Sequence, residues 1–451
     1  MTDQDQKPVS LSRSRTQHGH LSALYLLHRL QMGWQRLTAI SFSEQRNERL
    51  LYVDMVFQAM LEAGPMSFVA VYLVRLGAAD WLVGLDSSLP ALLTLLAVLP
   101  AGALVQRRHD LVRMATSTRM MYRTAIALMA VAAFCPNVLA SYIVVTLHGL
   151  AAIPGAVLNV SMTTIVGLAT TDERRPKMLS MRLAINGAFA AGIGFMAGQW
   201  LDYAPFPLNY QVLFASAILA GAGSWAVLSR LRLREPPQTP SGPSERVSLK
   251  QMFALVRTSV PFCNFLIAEF IIRIGTFLPM ALFSIYKVRD LGSSDAWLGT
   301  LLTVERLLSV AAYTLLSRFG GQPAVRKKLW LGCIGTAFFP VCIAIARTPE
   351  ALLLSSAISG IFFPAMNIFL SDKLFAVSPE EQRPTFIAAN SFMMNVTAFV
   401  GPLVGTSLAE VIGIREAMVV ATGFRLLGAF AMWLLGVTGR HVHKVQEGVA
   451  S

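Results

Sequence analysis

The chain has 451 residues, of which 54% are hydrophobic and only 14% are charged, with a formal net charge of +13. A soluble domain usually carries about 25% charged residues, so this composition excludes an ordinary soluble protein. Apolar runs of about 18 or more residues recur along most of the chain, and each is long enough to cross a bilayer as a helix. The sequence therefore predicts an all-α polytopic membrane protein.

The basic residues are unevenly distributed along the chain. Most of the 38 Lys and Arg residues lie in the tails and in alternate loops, whereas the opposite loops hold only Arg75, Lys287, Arg289, Arg347 and Arg415. This positive-inside pattern predicts that both termini lie in the cytoplasm, and we expect the protein in the inner or plasma membrane. The excess positive charge is expected to face anionic lipid headgroups, and no nucleic-acid partner is predicted.

The order of segments predicts two halves joined by a linker. Residues 1–50 form a predicted cytoplasmic tail in which 21–40 read as an amphipathic interfacial helix. Twelve predicted spans follow, at 51–75, 81–105, 113–135, 138–168, 178–202, 209–232, 260–288, 295–318, 329–347, 350–376, 385–412 and 415–438. They form a first six-helix bundle (51–232) and a second one (260–438). A Pro- and Ser-rich cytoplasmic linker (233–259) separates the bundles, and a short tail (439–451) ends the chain.

The two halves carry an internal repeat. Tyr72–Asp80 (YLVRLGAAD) is echoed by Tyr286–Asp295 (YKVRDLGSSD), and Gly84 then matches Gly299 at the same offset as the two aspartates. A second echo joins 173–176 (ERRP) to 381–384 (EQRP) at a similar offset. Internal repeats of this kind are typical of secondary transporters.

The segment after the second span carries a recognisable motif. It reads GALVQRRH from Gly102 to His109, and a weaker copy, LLSRFG, contains Arg318 after the eighth span. Six spans, a linker, six spans and this motif resemble the major facilitator superfamily, whose second and third helices are joined by G-x-L-a-D-R-x-G-R-[KR]. Gly102, Leu104 and Arg107 match that pattern, whereas Gln106 replaces the acidic residue.

The resemblance implies two six-helix bundles around a central cavity, together with alternating access. Gln106 cannot form the ion pair that an acidic residue would make across the helix interface. We therefore expect the conformational latch of this loop to be weakened or to be supplied elsewhere.

Ionisable side chains inside spans are costly in lipid, so they are candidates for substrate or ion coupling. Asp54 and Glu62 lie on roughly one face of the first span, with Gln58 between them. Glu62 lies near the bilayer midplane beside Gly64-Pro65, where a helix is expected to break, and a carboxyl group there suits proton uptake and release. The alternative is a fixed ion pair with an arginine.

The second half holds further candidates. Glu269 and Arg273 are spaced for an intrahelical pair, and Glu305 and Arg306 point about 100° apart on a helix and so need separate partners. A specialised site and a structural charge network both fit this pattern. Arg425 is expected to have a structural partner.

By resemblance, the first, fourth, seventh and tenth helices line the cavity. His148, Asn159 and Asn367 are then candidate polar contacts, although a lone histidine often forms only an interhelical hydrogen bond. Asp86, close to the outer end of the second span, is predicted to be solvated.

The sequence contains no phosphate-binding G-x4-GK[ST] motif, no nucleophile elbow and no paired metal-ligand spacing. No enzyme activity, cofactor or metal is therefore predicted. The leading hypothesis is a monomeric secondary transporter for a small solute, coupled to protons through Glu62, with Glu269 or Glu305 as alternatives, and working in efflux rather than uptake. Two alternatives stay open: a non-transporting sensor or assembly protein on the same fold, and a lipid translocator.

Overall fold

The computed structural model describes residues 43–107, 110–170, 174–233, 254, 256–319 and 328–438. The predicted amphipathic helix, most of the linker and the C-terminal tail lie outside these residues.

Twelve helical rods follow one another along the described part of the chain, which confirms the predicted fold class. The first consists of Ser43–Leu61 and Ser67–Arg75, joined by a π-helical turn at Glu62–Met66. The seventh consists of Val260–Phe277, Met280–Ile285 and a π-helical turn at Tyr286–Asp290. The other rods are Asp80–Arg107, Leu111–Ala132, Asn137–Ala169, Arg175–Tyr203, Leu208–Leu228, Asp295–Phe319, Leu331–Ile345, Leu352–Val377, Arg383–Ile412 and Ile414–Leu434.

Ten of these rods are by themselves long and apolar enough to cross a membrane. The ninth, Leu331–Ile345, is apolar but short. The third is less apolar because it carries arginines, yet Arg119 and Arg123 are only 4% and 0% exposed and lie inside the bundle. The third rod therefore hides its charge from lipid and can serve as a span.

The first helix begins by Ser43 rather than at the predicted residue 51. Its extra turns are anchored by buried polar side chains. The Asn47 amide donates to the Arg232 carbonyl (2.7 Å), while Glu48 accepts from Thr170 and Arg174 (both 3.0 Å). Hydropathy alone misses these turns because polar contacts stabilise them.

These same contacts gather the beginning of the first span and the ends of the fourth and sixth spans at one end of the molecule, which we call the termini end. The opposite end, which holds the turn between the first and second spans, is the hairpin end. The repeated glycines of the sequence form the turns there: Gly77 and Gly292 have φ of 76° and 60°, a left-handed conformation that favours glycine.

The two bundles meet along two helix pairs, the fifth span against the eighth and the second against the eleventh. A Cβ on Gly198 would lie 2.6 Å from the Asp295 carbonyl oxygen and 2.9 Å from the Gly299 Cα. A Cβ on Gly84 would lie 2.7 Å from the Thr406 hydroxyl. Both close approaches lie in the hairpin half, so the bundles are packed tightly against each other at that end.

Candidate functional site

The hairpin end is closed by an ion pair between the bundles. Arg75 contacts the Asp295 carboxylate through Nη2 at 3.1 Å and Nε at 3.4 Å, and it donates to the Ser293 carbonyl at 2.7 Å. The other Asp295 oxygen accepts from the Tyr210 hydroxyl at 2.8 Å. The Asp295 side chain is only 7% exposed, so little water competes for this carboxylate.

A second ion pair repeats this arrangement with the two halves exchanged. Arg289 donates to Asp80 at 2.6 Å and to the Ala78 carbonyl at 3.0 Å. Its side chains are more exposed, at 45% for Arg289 and 22% for Asp80. Each arginine of the internal repeat thus contacts the aspartate of the other copy. We call these two contacts the swapped ion pairs.

A cavity of about 970 Å³ lies between the bundles in the termini half. The beginning of the fifth span forms one wall and the second half of the eighth span forms the other, with residues near the ninth and in the tenth spans completing it. Its polar or charged lining residues are Lys177, Ser180, Asn186, Arg306, Ser309, Tyr313, Thr314, Ser317 and Asp372. In the described structure, the fifth and eighth spans therefore contribute most of this lining, rather than the first, fourth and seventh.

Glu62 sits at the break of the first span, next to this cavity. Gly64 leaves the helical conformation with ψ of −109°, Pro65 has no backbone N–H, and the Ser67 hydroxyl bonds to the Glu62 carbonyl at 2.7 Å. The Glu62 carboxylate accepts from the Gln58 amide at 2.8 Å and from the Asn186 amide at 3.1 Å. Within the described structure its hydrogen bonds thus come from neutral amides rather than from the fixed arginine considered as an alternative.

Asp54 is fully buried in a polar cluster that joins three spans of the first bundle. It forms an ion pair with Arg119 and accepts from the Ser224 hydroxyl. Arg123 lies one turn further on and donates to the carbonyls of Ala220 and Phe57. These contacts join the first, third and sixth spans.

In the second bundle, the predicted pair of Glu269 and Arg273 forms within one helix at 3.2 Å, with Glu269 1% exposed. Glu305 and Arg306 diverge, as their spacing requires. The Glu305 carboxylate accepts from the Ser359 hydroxyl of the tenth span at 3.0 Å, whereas Arg306 lines the cavity.

Arg425 is 1% exposed and is held by neutral groups. It donates to the carbonyls of Gly275 (2.9 Å) and Thr336 (2.5 Å), and its guanidinium lies 5.9 Å and 5.5 Å from the ring centroids of Phe339 and Phe363. These contacts join the twelfth span to the seventh, ninth and tenth spans of the second bundle.

His148 pairs with Asp86, with Nδ1 at 2.8 Å from the carboxylate. Asp86 is 2% exposed, so the prediction of a solvated side chain is wrong: the second and fourth spans pack together and enclose it. Asn159 is exposed and Asn367 is half-buried, and neither residue, nor His148, is among those that line the described cavity.

The conformational motif lies at the termini end of the second span. The helix continues through Arg107; Leu104 is 40% exposed, and nothing lies within 4 Å of a Cβ placed on Gly102. The side chains of Gln106 and Arg107 lie outside the described structure. Arg318, at the end of the eighth span, lies 5.8 Å from the Phe319 ring centroid.

Two bundles of six largely apolar helices, joined at one end and with a cavity between them towards the other, define the fold of an integral membrane protein. The sequence pattern of the Major Facilitator Superfamily matches residues 51–374 and 265–451. The chain belongs to this superfamily, as the sequence motif predicts.

Known relatives agree with this membership. A protein of Lactococcus lactis subsp. lactis named "Multi-drug resistance efflux pump PmrA homolog" is 23% identical over 385 residues, which cover 83% of this chain and 91% of that protein. A bacterial homologue of the human drug peptide transporters PepT1 and PepT2 has a similar fold, with a TM-score of 0.68, 12% identity and coverage of 90% and 100%. The nucleoside transporter NupG also has a similar fold, with a TM-score of 0.60 and 14% identity, over 88% of this chain and 99% of that chain.

Proposed function

We propose that this protein is a secondary active transporter that exports a small solute by alternating access, coupled to protons through Glu62. The observation that carries the proposal is the asymmetry between the two ends. Ion pairs and close helix packing join the bundles at the hairpin end, whereas a cavity of drug-ligand size lies between them in the termini half. Rocking of the bundles would expose this cavity to the two sides of the membrane in turn.

The basic loops support an orientation with the termini end in the cytoplasm. In that orientation the cavity is loaded from the cytoplasmic side, as export requires. The name of the lactococcal relative, a multi-drug efflux pump homologue, supports the same direction.

Glu62 is the best-placed coupling group because its protonation would change a contact between two spans. An ionised carboxylate only accepts hydrogen bonds, so it can hold the amides of Gln58 and Asn186 together. A protonated carboxyl group must also donate, and one of these amide contacts is then weakened. Because Asn186 lines the cavity, proton binding would alter the cavity wall directly.

Transport in proteoliposomes with an imposed pH gradient tests the proposal. A radiolabelled panel of organic anions, cations and neutral solutes is offered to wild type, Glu62→Gln and the control Glu350→Gln, which changes an exposed acid at the hairpin end. We expect gradient-driven flux of at least one solute in wild type and in the control. Glu62→Gln should lose the dependence on the gradient and keep solute exchange at equal pH.

Flux that responds equally to the gradient in Glu62→Gln would overturn the coupling role of Glu62. The absence of solute flux from a folded wild-type sample would overturn solute transport. Fluorescent phospholipid translocation in the same vesicles would then identify a lipid translocator, and no translocation would favour a non-transporting protein.

A further inference from the structure

Arg306 is a cation in the middle of a membrane span that has no counter-ion among the described residues. It is the twelfth residue of the Asp295–Phe319 helix, it is half-buried, and its Nε is buried without a hydrogen-bond partner. A charge at this depth is costly unless it is paired or faces water. Arg306 faces the cavity between the bundles, so a ligand in this cavity can supply the missing anion.

None of the other described charged groups near this cavity is placed to bind an anionic ligand at the depth of Arg306. Glu305 is turned towards Ser359 of the tenth span, and the Glu62 carboxylate is held behind Asn186 by amides. Lys177 is an exposed cation in the first turn of the fifth span, and Asp372 lies in the last turns of the tenth, where it already has an interaction. A cation in the entrance and a cation at depth favour the entry of anions.

The rest of the wall carries uncharged polar groups but exposes more apolar than polar surface. Its apolar lining residues come from both bundles and are Met181, Leu183, Ala184, Val310, Leu316, Leu329 and Ile368. A volume of about 970 Å³ accommodates a drug-sized molecule. A wall with predominantly apolar surface and one deep cation complements a molecule that has an apolar body and one anionic group.

We propose that the cavity binds an amphipathic organic anion, such as a carboxylate or sulfonate with an aromatic or aliphatic body, and that the Arg306 guanidinium binds its anionic group. This inference rests on the proposed transport function and names the substrate class of that site. Planar guanidinium groups bind carboxylates through two parallel hydrogen bonds, which ammonium groups cannot reproduce.

Binding of two matched fluorescent probes tests the proposal. Pyrenebutyrate and pyrenebutylammonium have the same apolar body and opposite charge. Their binding is measured with the full chain in phosphatidylcholine nanodiscs, with protein-free nanodiscs as the blank. We expect wild type to bind the anion at least about tenfold more tightly than the cation, since a hydrogen bond to a charged group contributes enough for such a ratio.

Three variants locate the effect. Arg306→Ala should weaken anion binding roughly 10- to 100-fold and leave cation binding unchanged or tighter. Arg306→Lys should retain the preference for the anion with weaker binding. Arg230→Ala, which removes an exposed cation at the termini end outside the cavity, should change neither affinity.

Equal or tighter binding of the cation by wild type would overturn the proposal, and this comparison needs no variant to fold. Unchanged anion binding in Arg306→Ala, or an equal loss in Arg230→Ala, would overturn it as well. Gradient-driven export of a cationic or neutral solute together with a preference for the cationic probe would leave the transport function standing and remove only the substrate class. Anion binding without flux of any solute would support the ligand class and overturn the transport function.

Discussion

Asp295→Asn should weaken the closed hairpin end more than the corresponding substitution in the other copy, Asp80→Asn. The Asp295 carboxylate accepts from Arg75 at 3.1 and 3.4 Å and from Tyr210 at 2.8 Å, and it is 7% exposed. Asp80 accepts from Arg289 at 2.6 Å and is 22% exposed. Both substitutions preserve shape, so the comparison isolates the effect of the environment on the charge.

The expected difference follows from the type of contact. Asparagine keeps one oxygen acceptor but loses the charge, so Asp295→Asn should cost the closed state about 2 kcal/mol, within the usual range for hydrogen bonds to charged groups. A half-exposed ion pair stabilises the closed state by about 1 kcal/mol or less, so Asp80→Asn should cost the closed state no more than this. The ratio of closed to open molecules should therefore fall roughly 30-fold for Asp295→Asn and at most about fivefold for Asp80→Asn.

Distances between spin labels at the hairpin ends of the two bundles measure this ratio. Suitable labelling sites are Phe134 in the first bundle and Val411 in the second, which are 80% and 81% exposed. The native cysteines, Cys135, Cys263, Cys333 and Cys342, are first replaced by alanine.

Pulsed electron–electron double resonance should give one short distance for wild type and nearly the same distance distribution for Asp80→Asn. Asp295→Asn should show an additional, longer distance. A larger effect of Asp80→Asn would refute the reasoning that burial sets the strength of these pairs. Identical distributions for all three proteins would show that helix packing alone closes this end.

Two further predictions concern packing and buried charge. Gly198→Ala should separate the bundles at the hairpin end, because its Cβ would lie 2.9 Å from the Gly299 Cα. The longer spin-label distance should therefore appear in this variant. The control Gly192→Ala, whose Cβ meets nothing within 4 Å, should leave the distance distribution unchanged. Arg425→Ala should destabilise the folded protein by about 3 kcal/mol, since it leaves two carbonyls and a cavity in the core. Thermal unfolding in detergent checks this against the exposed control Arg347→Ala, and equal melting temperatures would contradict the structural role of Arg425.

The architecture was predictable because its signals are local in sequence. Long apolar runs define the spans, and Gly64-Pro65 marks the break in the first helix. The extension of this helix back to Ser43 was not predictable from hydropathy, since buried contacts of Asn47 and Glu48 with distant segments stabilise it.

The pairing of charges was less predictable, because sequence shows which charges exist and not which ones meet. Arg75 and Asp80 are five residues apart, close enough in sequence to suggest a local ion pair, yet each forms its ion pair with the other half of the chain. Nothing in the sequence around Asp86 indicated that this side chain would be buried beside His148. The divergence of Glu305 and Arg306 did follow from helical geometry, although their partners did not.

The swapped ion pairs have the contact pattern of a symmetric homodimer. In such a dimer, residue i of one subunit contacts residue j of the other, and j contacts i in return. Here i is Arg75 or Arg289 and j is Asp295 or Asp80, so the two halves of one chain meet at the hairpin end as two identical subunits would. Each half carries both an arginine and an aspartate, so a single copy of the motif contains both members of the contact. Among the described contacts the Tyr210 hydroxyl bonds to Asp295 and no tyrosine bonds to Asp80, so the two swapped ion pairs are not equivalent.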